Sequence, residues 1–214
     1  MNKNEAIEMV KILKKTYPEA KCSLDFKKPF EMVVAVMLSA QCTDERVNKV
    51  TAEFFPKYHT PQDFVNMTLE DIEKLIHSCG FYKNKAKNLK LASQKILQDF
   101  GGEVPQTMEE LMTIPGIGRK SANVIMLEAF HNPQGIAVDT HVKRLSNRIG
   151  FSKKTEPEKI EQDLLKEFPK KYYEDANHIL IYHGRAICKA QNPACNKCCV
   201  AKLCENPVHS SAKS

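Results

Sequence analysis

Residues 107–130 read TMEELMTIPGIGRKSANVIMLEAF, and their pattern decides the fold. Thr107 and Glu110 have the spacing of a capping box, in which side chains satisfy the free amides of a helix's first turn. Ile114-Pro115-Gly116-Ile117-Gly118 then interrupts the pattern, and Ala122, Ile125, Met126 and Ala129 resume it at helical spacing. The two glycines permit positive φ angles and leave backbone amides uncovered at the positive end of the second helix. Exposed amides at such an end suit a phosphate. The turn follows a helix and lacks the spacing of a nucleotide-binding P-loop, so a DNA backbone phosphate fits better than a triphosphate. An ordinary helix-helix turn capped by glycine would share the sequence.

Outward from this hairpin, apolar residues keep the helical period: Ala6, Val10, Leu13 and Tyr17, then Val47, Val50 and Phe54, then Val142, Leu145 and Ile149. Thr68 stands as a cap before Leu69, Ile72, Leu75 and Ile76. Breaks fall at Gly80, Gly101-Gly102 and Asn132-Pro133, and the tail ENPVHSSAKS is expected to fray. Only MVVAVML at 32–38 and IAV at 136–138 resemble buried strands; the first is long enough for a helix and the second too short to build a sheet. The expectation is an all-α protein.

With 214 residues, 42% of them hydrophobic, the chain can bury a substantial core and is not expected to be disordered. Its 32 Lys and Arg exceed its 26 Asp and Glu, and the net charge of +6 favours a polyanionic partner without requiring one. No run approaches the roughly 20 apolar residues of a membrane span, and the start MNKNEAIEMVKILKK has no signal-peptide core. A soluble cytoplasmic monomer with no membrane partner is expected, associated with the nucleoid if the source is prokaryotic.

Lys120 follows Arg119 in the first turn of the helix after the hairpin, where the helix dipole and the neighbouring cation both disfavour a charged amine. An amine pushed toward its neutral form is what nucleophilic attack and Schiff-base formation require, although a surface lysine touching phosphate or water would look the same. Asp139 opens Asp139-Thr140-His141 before another helix, so it reads as an N-cap. It also follows the apolar Ile136-Ala137-Val138, at the rim of a packed region, where a carboxylate can stabilise positive charge developing on a sugar. His141 and the other six histidines show no ligand spacing and read as packing or surface groups.

Cys22, Cys42 and Cys79 are scattered and read as small buried hydrophobes. Cys188, Cys195, Cys198, Cys199 and Cys204 crowd into one segment, which points to metal rather than to disulfides. Cys188-x6-Cys195-x2-Cys198-x5-Cys204 offers four thiolates to tetrahedral zinc or to a cubane iron-sulphur cluster. Zinc sites more often pair two short hooks, and only Cys195 and Cys198 form one, so the spacing leans to iron-sulphur with Cys199 spare. Lys189, Lys197 and Lys202 would make the loop cationic.

IPGIGRKSANVIM, AVDTHVKRLSNRIG and the four-cysteine spacing, in this order, resemble the endonuclease III family of helix-hairpin-helix DNA glycosylases. VMLSAQCTDERVNKVT at 36–51 and GFYKNKAKNL at 80–89 extend the resemblance over nearly the whole chain. It implies two helical lobes, a helix-hairpin-helix barrel over 23–132 and an iron-sulphur lobe from 1–22 and 133–214, with a DNA-binding cleft between them. It also implies a bifunctional DNA glycosylase and abasic-site lyase of base excision repair, acting on oxidised pyrimidines in damaged double-stranded DNA and cutting 3′ to the abasic site by β-elimination. Lys120 matches the Schiff-base lysine, Asp139 the catalytic aspartate, and Cys188, Cys195, Cys198 and Cys204 the ligands of a 4Fe-4S cluster. Gln41 matches the residue that fills the gap left by the extruded nucleotide, and Phe81 stands where a leucine wedge is usual. Gly116, Gly118 and Arg119 fall to DNA binding. Phe81, Cys42 and Cys199 depart from the commonest pattern. The rivals are a monofunctional mismatch glycosylase, which lacks the lysine, and a non-enzymatic DNA-binding module with a structural metal.

Overall fold

The computed structural model describes residues 2–205; beyond Glu205 the tail expected to fray lies outside the described residues. The all-helical reading holds, and the described residues contain no strand. None of their helices is long and apolar enough to cross a membrane. The chain divides into two compact units, one taking Cys22–Asn132 and the other the segments on either side.

The first unit holds α2 (Pro29–Ser39), α3 (Asp44–Phe54), α4 (Pro61–Asn66), α5 (Leu69–Ile76), α6 (Tyr82–Phe100), α7 (Met108–Leu111) and α8 (Arg119–Glu128). The strand-like run 32–38 lies inside α2, which begins at a proline and is buried on every face from Phe30 to Leu38. A helix that is apolar all round belongs at the centre of a core, and α2 packs against α3, α6 and α8. The Glu31 carboxylate accepts the backbone amides of Lys27 and Lys28 at 2.6 and 3.2 Å, which satisfies two donors at its buried start.

The hairpin differs from expectation in two details. Thr107 Oγ1 accepts the Glu110 amide at 3.2 Å, but the Glu110 carboxylate takes the Thr107 hydroxyl at 2.7 Å instead of the Thr107 amide, so the capping box is half formed. Gly116 has φ +84, as its turn requires, whereas Gly118 sits at φ −98, ψ 177 as the N-cap of α8. Only the first glycine therefore uses the left-handed region. Leu111, Ile114 and Ile117 are buried beneath the turn, and Gly116, Gly118, Arg119 and Lys120 remain exposed above it. Each such apolar anchor contributes roughly 1.5–3 kcal/mol, so the hairpin is held from below.

The second unit contains α1 (Lys3–Thr16), α9 (Thr140–Ile149), α10 (Pro157–Glu167) and α11 (Tyr173–Ala186), followed by the cysteine loop with two short 3-10 turns. Ala6, Met9, Val10 and Leu13 of α1 meet a core of Val142, Leu145, Ile160, Leu164, Ile179 and Leu180. The apolar stretch 136–138 is buried but forms no strand and leads directly into α9.

Candidate nucleic-acid interface and catalytic residues

In the Cys22–Asn132 unit, Lys120 occupies the second position of α8, exposed, with the Gly116–Gly118 turn immediately before it. Gln41 and Phe81, the two expected gap-fillers, both have left-handed backbones, with φ of 53 and 57. Such angles cost an L-residue about 1–2 kcal/mol, and strain of this kind concentrates at functional positions. Gln41 is exposed and Phe81 is 64% exposed, so neither is held in place by burial of its side chain. Their segments touch: a Cβ built on Gly80 would lie 3.6 Å from the Gln41 carbonyl. Gln41, Phe81, Asn84, Asn88 and Gly116 line one surface cavity of about 260 Å³ together with Lys85, so the structure brings Gln41 and Phe81 to the hairpin. Lys85 is buried, and its Nζ donates to the Leu38 carbonyl at 2.8 Å. Burial lowers its pKa, while the Cys42 and Cys79 thiols oppose the shift.

In the other unit, Asp139 is the N-cap of α9; its carboxylate accepts the Val142 amide at 2.7 Å, and it is half-buried beside the packed 136–138 segment. The expected cap is present, and one carboxylate oxygen makes it. Burial lowers the pKa of His141, opposed by the Asp139 carboxylate and reinforced by Arg144 and Arg185, and its Nδ1 lies 3.1 Å from Arg144 Nη2. The ring is thus kept toward its neutral form next to the aspartate.

Two arginines of α9 tie down the cysteine loop. Arg144 donates to the carbonyls of Cys188 and Gly184 at 3.1 and 2.9 Å, and Arg148 to those of Lys189 and Ala190 at 2.6 and 2.9 Å. Arg148 Nη1 also approaches Cys188 Sγ at 3.7 Å, and the far end of the loop returns as Glu205 N donates to the Ile149 carbonyl at 3.0 Å. The helix that begins at Asp139 therefore clamps both ends of the loop. Cys188, Cys195, Cys198 and Cys204 all line one cavity, with Arg148, His183 and aliphatic residues such as Ile149, Ile187 and Val200, whereas Cys199 is exposed and outside it. Among the described residues, no three His, Cys, Asp or Glu side chains are drawn together as a site for a single ion. Burial, foremost, pushes the Cys198 thiol up to about 11.

The model of the HhH-GPD superfamily of base excision DNA repair proteins matches residues 34–170. The chain is 52% identical to endonuclease III of Synechocystis sp. over 94% of its own length and 92% of the relative's. It belongs to the endonuclease III family. The endonuclease III of Bacillus subtilis is 47% identical, over 88% of this chain and 86% of that protein. A solved endonuclease III, trapped with DNA as a covalent intermediate in an estranged-adenine complex, superposes with a TM-score of 0.92 at 42% identity, covering 97% of this chain and 98% of the other. The expectation of an all-α helix-hairpin-helix fold is met.

Sequence reasoning missed residues that act through others. Arg144 and Arg148 look like the charged face of a surface helix, and nothing in their spacing shows that they grip a loop some 40 residues away. His183, set aside as a packing residue, is 1% exposed and places Nε2 3.4 Å from Cys198 Sγ. Its position on the helix entering the cysteine loop was the available signal.

Proposed function

We propose that the chain is a bifunctional DNA glycosylase and abasic-site lyase of base excision repair that removes oxidised pyrimidines from damaged double-stranded DNA, with Lys120 as nucleophile and Asp139 as its carboxylate partner. The observation that carries this reading is the exposed lysine in the first turn of α8, directly after a phosphate-competent hairpin. The turn's amides and Arg119 take a backbone phosphate and fix the register of the strand without reading its sequence. Gln41 and Phe81 enter the space vacated when the target nucleotide leaves the stack, since its glycosidic carbon is unreachable inside the duplex.

Neutral Lys120 then attacks C1′; the new N–C1′ bond forms as the bond to the base breaks, with the positive sugar stabilised by Asp139. Asp139 accepts the proton that the attacking amine loses. Opening of the sugar ring gives a Schiff base, which acidifies C2′; loss of that proton breaks the C3′–O bond and cuts the strand 3′ to the lesion. Hydrolysis frees Lys120.

The four cavity-lining thiols fit a 4Fe-4S cluster, held by Cys188, Cys195, Cys198 and Cys204. A 4Fe-4S cluster would take one of these thiolates on each of its four irons, so thiols spread around a cavity suit it better than zinc, which needs all four sulphurs at about 2.3 Å from one centre. When bound, it cross-links the loop and adds stability to that unit.

A duplex with one oxidised pyrimidine tests the reaction: the protein should nick the strand directly, in step with base release. Base release that becomes a nick only after alkali would establish a monofunctional enzyme instead. Asp139→Asn should slow release while leaving the α9 cap and DNA binding in place, because an asparagine oxygen still accepts the Val142 amide. An unchanged rate would reduce Asp139 to a cap.

A further inference from the structure

Three side chains of one unit form a hydrogen-bonded line. The Tyr17 hydroxyl lies 2.9 Å from His183 Nδ1, and His183 Nε2 lies 3.4 Å from Cys198 Sγ. The histidine ring meets the Tyr17 ring edge-on, with centroids 5.7 Å apart. Two of the line's three members are fixed at helix termini. Tyr17 closes α1, its amide donating to the Leu13 carbonyl at 2.8 Å; the His183 carbonyl ends α11 by accepting the amides of Ile187 and Cys188, each at 2.9 Å.

We propose that Tyr17 and His183 are positioning residues that hold an N–H on the Cys198 sulphur and thereby raise the reduction potential of the iron-sulphur cluster. The inference rests on the reading of Cys198 as a cluster ligand. A neutral imidazole carries one N–H, and a thiolate bound to iron has no proton to give. With the proton on Nδ1, two lone pairs would face each other at 3.4 Å between Nε2 and Sγ, on a ring that is 1% exposed. With the proton on Nε2, every group is satisfied: Sγ accepts from Nε2–H, and Nδ1 accepts from the tyrosine hydroxyl. Tyr17 therefore selects the tautomer, as the outer partner of a metal-ligating histidine does, here one bond further from the metal. A hydrogen bond to a ligating sulphur withdraws electron density from the cluster and favours its reduced form.

The test uses the full-length, iron-loaded protein and compares Tyr17→Phe, His183→Leu and His183→Gln with the parent. Iron content and visible absorption come first, then the midpoint potential, then the iron–thiolate stretching frequencies by resonance Raman. Tyr17→Phe keeps the ring and removes one oxygen, so it should retain all the iron, lower the potential and raise one iron–thiolate frequency. His183→Leu should lower the potential further, and His183→Gln, whose amide retains an N–H, should recover part of the loss. If His183→Leu fails to fold, Tyr17→Phe alone decides. Iron in every protein with unchanged potentials and frequencies would overturn the relay and leave the cluster reading intact. A parent protein without iron would overturn the cluster reading, and the relay with it.

Discussion

Gly116→Ala and Gly118→Ala, two residues apart in one turn, should behave oppositely. At position 116 the backbone is at φ +84, and a Cβ would lie 2.9 Å from Met37 Cε and 3.2 Å from Asn88 Cβ. The left-handed backbone costs an alanine about 1–2 kcal/mol. Crowding adds roughly 1 kcal/mol, near the lower end for overpacking, because Met37 Cε is the tip of a flexible chain but Asn88 Cβ is not. Gly116→Ala should therefore lose about 2–3 kcal/mol, a large part of the roughly 5–15 kcal/mol that holds a domain folded. At position 118 φ is −98 and an added Cβ meets nothing within 4 Å, so Gly118→Ala should cost only the roughly 0.5–1 kcal/mol that separates glycine from alanine at an N-cap. Urea unfolding followed by circular dichroism, with an unchanged slope, reads the difference as a shift in midpoint. DNA affinity separates the second role: the methyl of Gly118→Ala stands over the exposed amides of α8 and should weaken binding to duplex about tenfold, or ~1.4 kcal/mol. Equal midpoints for the two variants would refute the turn geometry. Full affinity in Gly118→Ala would make the hairpin a structural turn and nothing more.

Other perturbations follow from the same geometry. Changing Cys188, Cys195, Cys198 or Cys204 to Ser should strip the iron or destabilise its unit, while Cys199→Ser should keep about four irons per chain and the yellow-brown colour, read by iron analysis and visible absorption; full iron after one of the four changes would reassign that ligand. Phe81→Gly relieves a left-handed backbone worth about 1–2 kcal/mol and loses a ring that is 64% exposed. Its unfolding midpoint should match or exceed the parent's while base excision slows, and a lower midpoint would show that the ring is structural. Asp63 is desolvated by burial, but the Thr60 hydroxyl and the Thr60 and His59 amides outweigh that and lower its pKa. Its contribution to stability is complete above the unfolded value of about 3.9 and fades as pH falls toward the folded one. The stability gap between the parent and Asp63→Asn should thus narrow below about pH 4, and a constant gap would contradict the assignment.

The parts of the fold that the sequence made legible are those that local rules specify. Helical periodicity located α1, α3 and α9, and the hairpin was readable because its glycines, buried isoleucines and following helix are contiguous. The run 32–38 was ambiguous because an apolar segment buried on all sides has no period to distinguish helix from strand, and only its packing against α3, α6 and α8 resolves it. The capping box failed by one hydrogen bond, since spacing does not say which of two nearby donors a carboxylate will take. The left-handed backbones at Gln41 and Phe81 had no signal at all, because neither residue type favours them and tertiary packing imposes them. The clamp of Arg144 and Arg148 on the cysteine loop, and the approach of His183 to Cys198, join residues far apart in sequence and were invisible for that reason.

Lys120 as the nucleophile is the central claim, and borohydride reduction during turnover of a damaged duplex tests it most directly. The parent protein should be trapped covalently on the DNA, the adduct should map to Lys120, and Lys120→Gln should lose both trapping and strand cleavage while still binding the duplex. Trapping that persists in Lys120→Gln, or an adduct that maps to Lys83, Lys85 or the N-terminal amine, would contradict it.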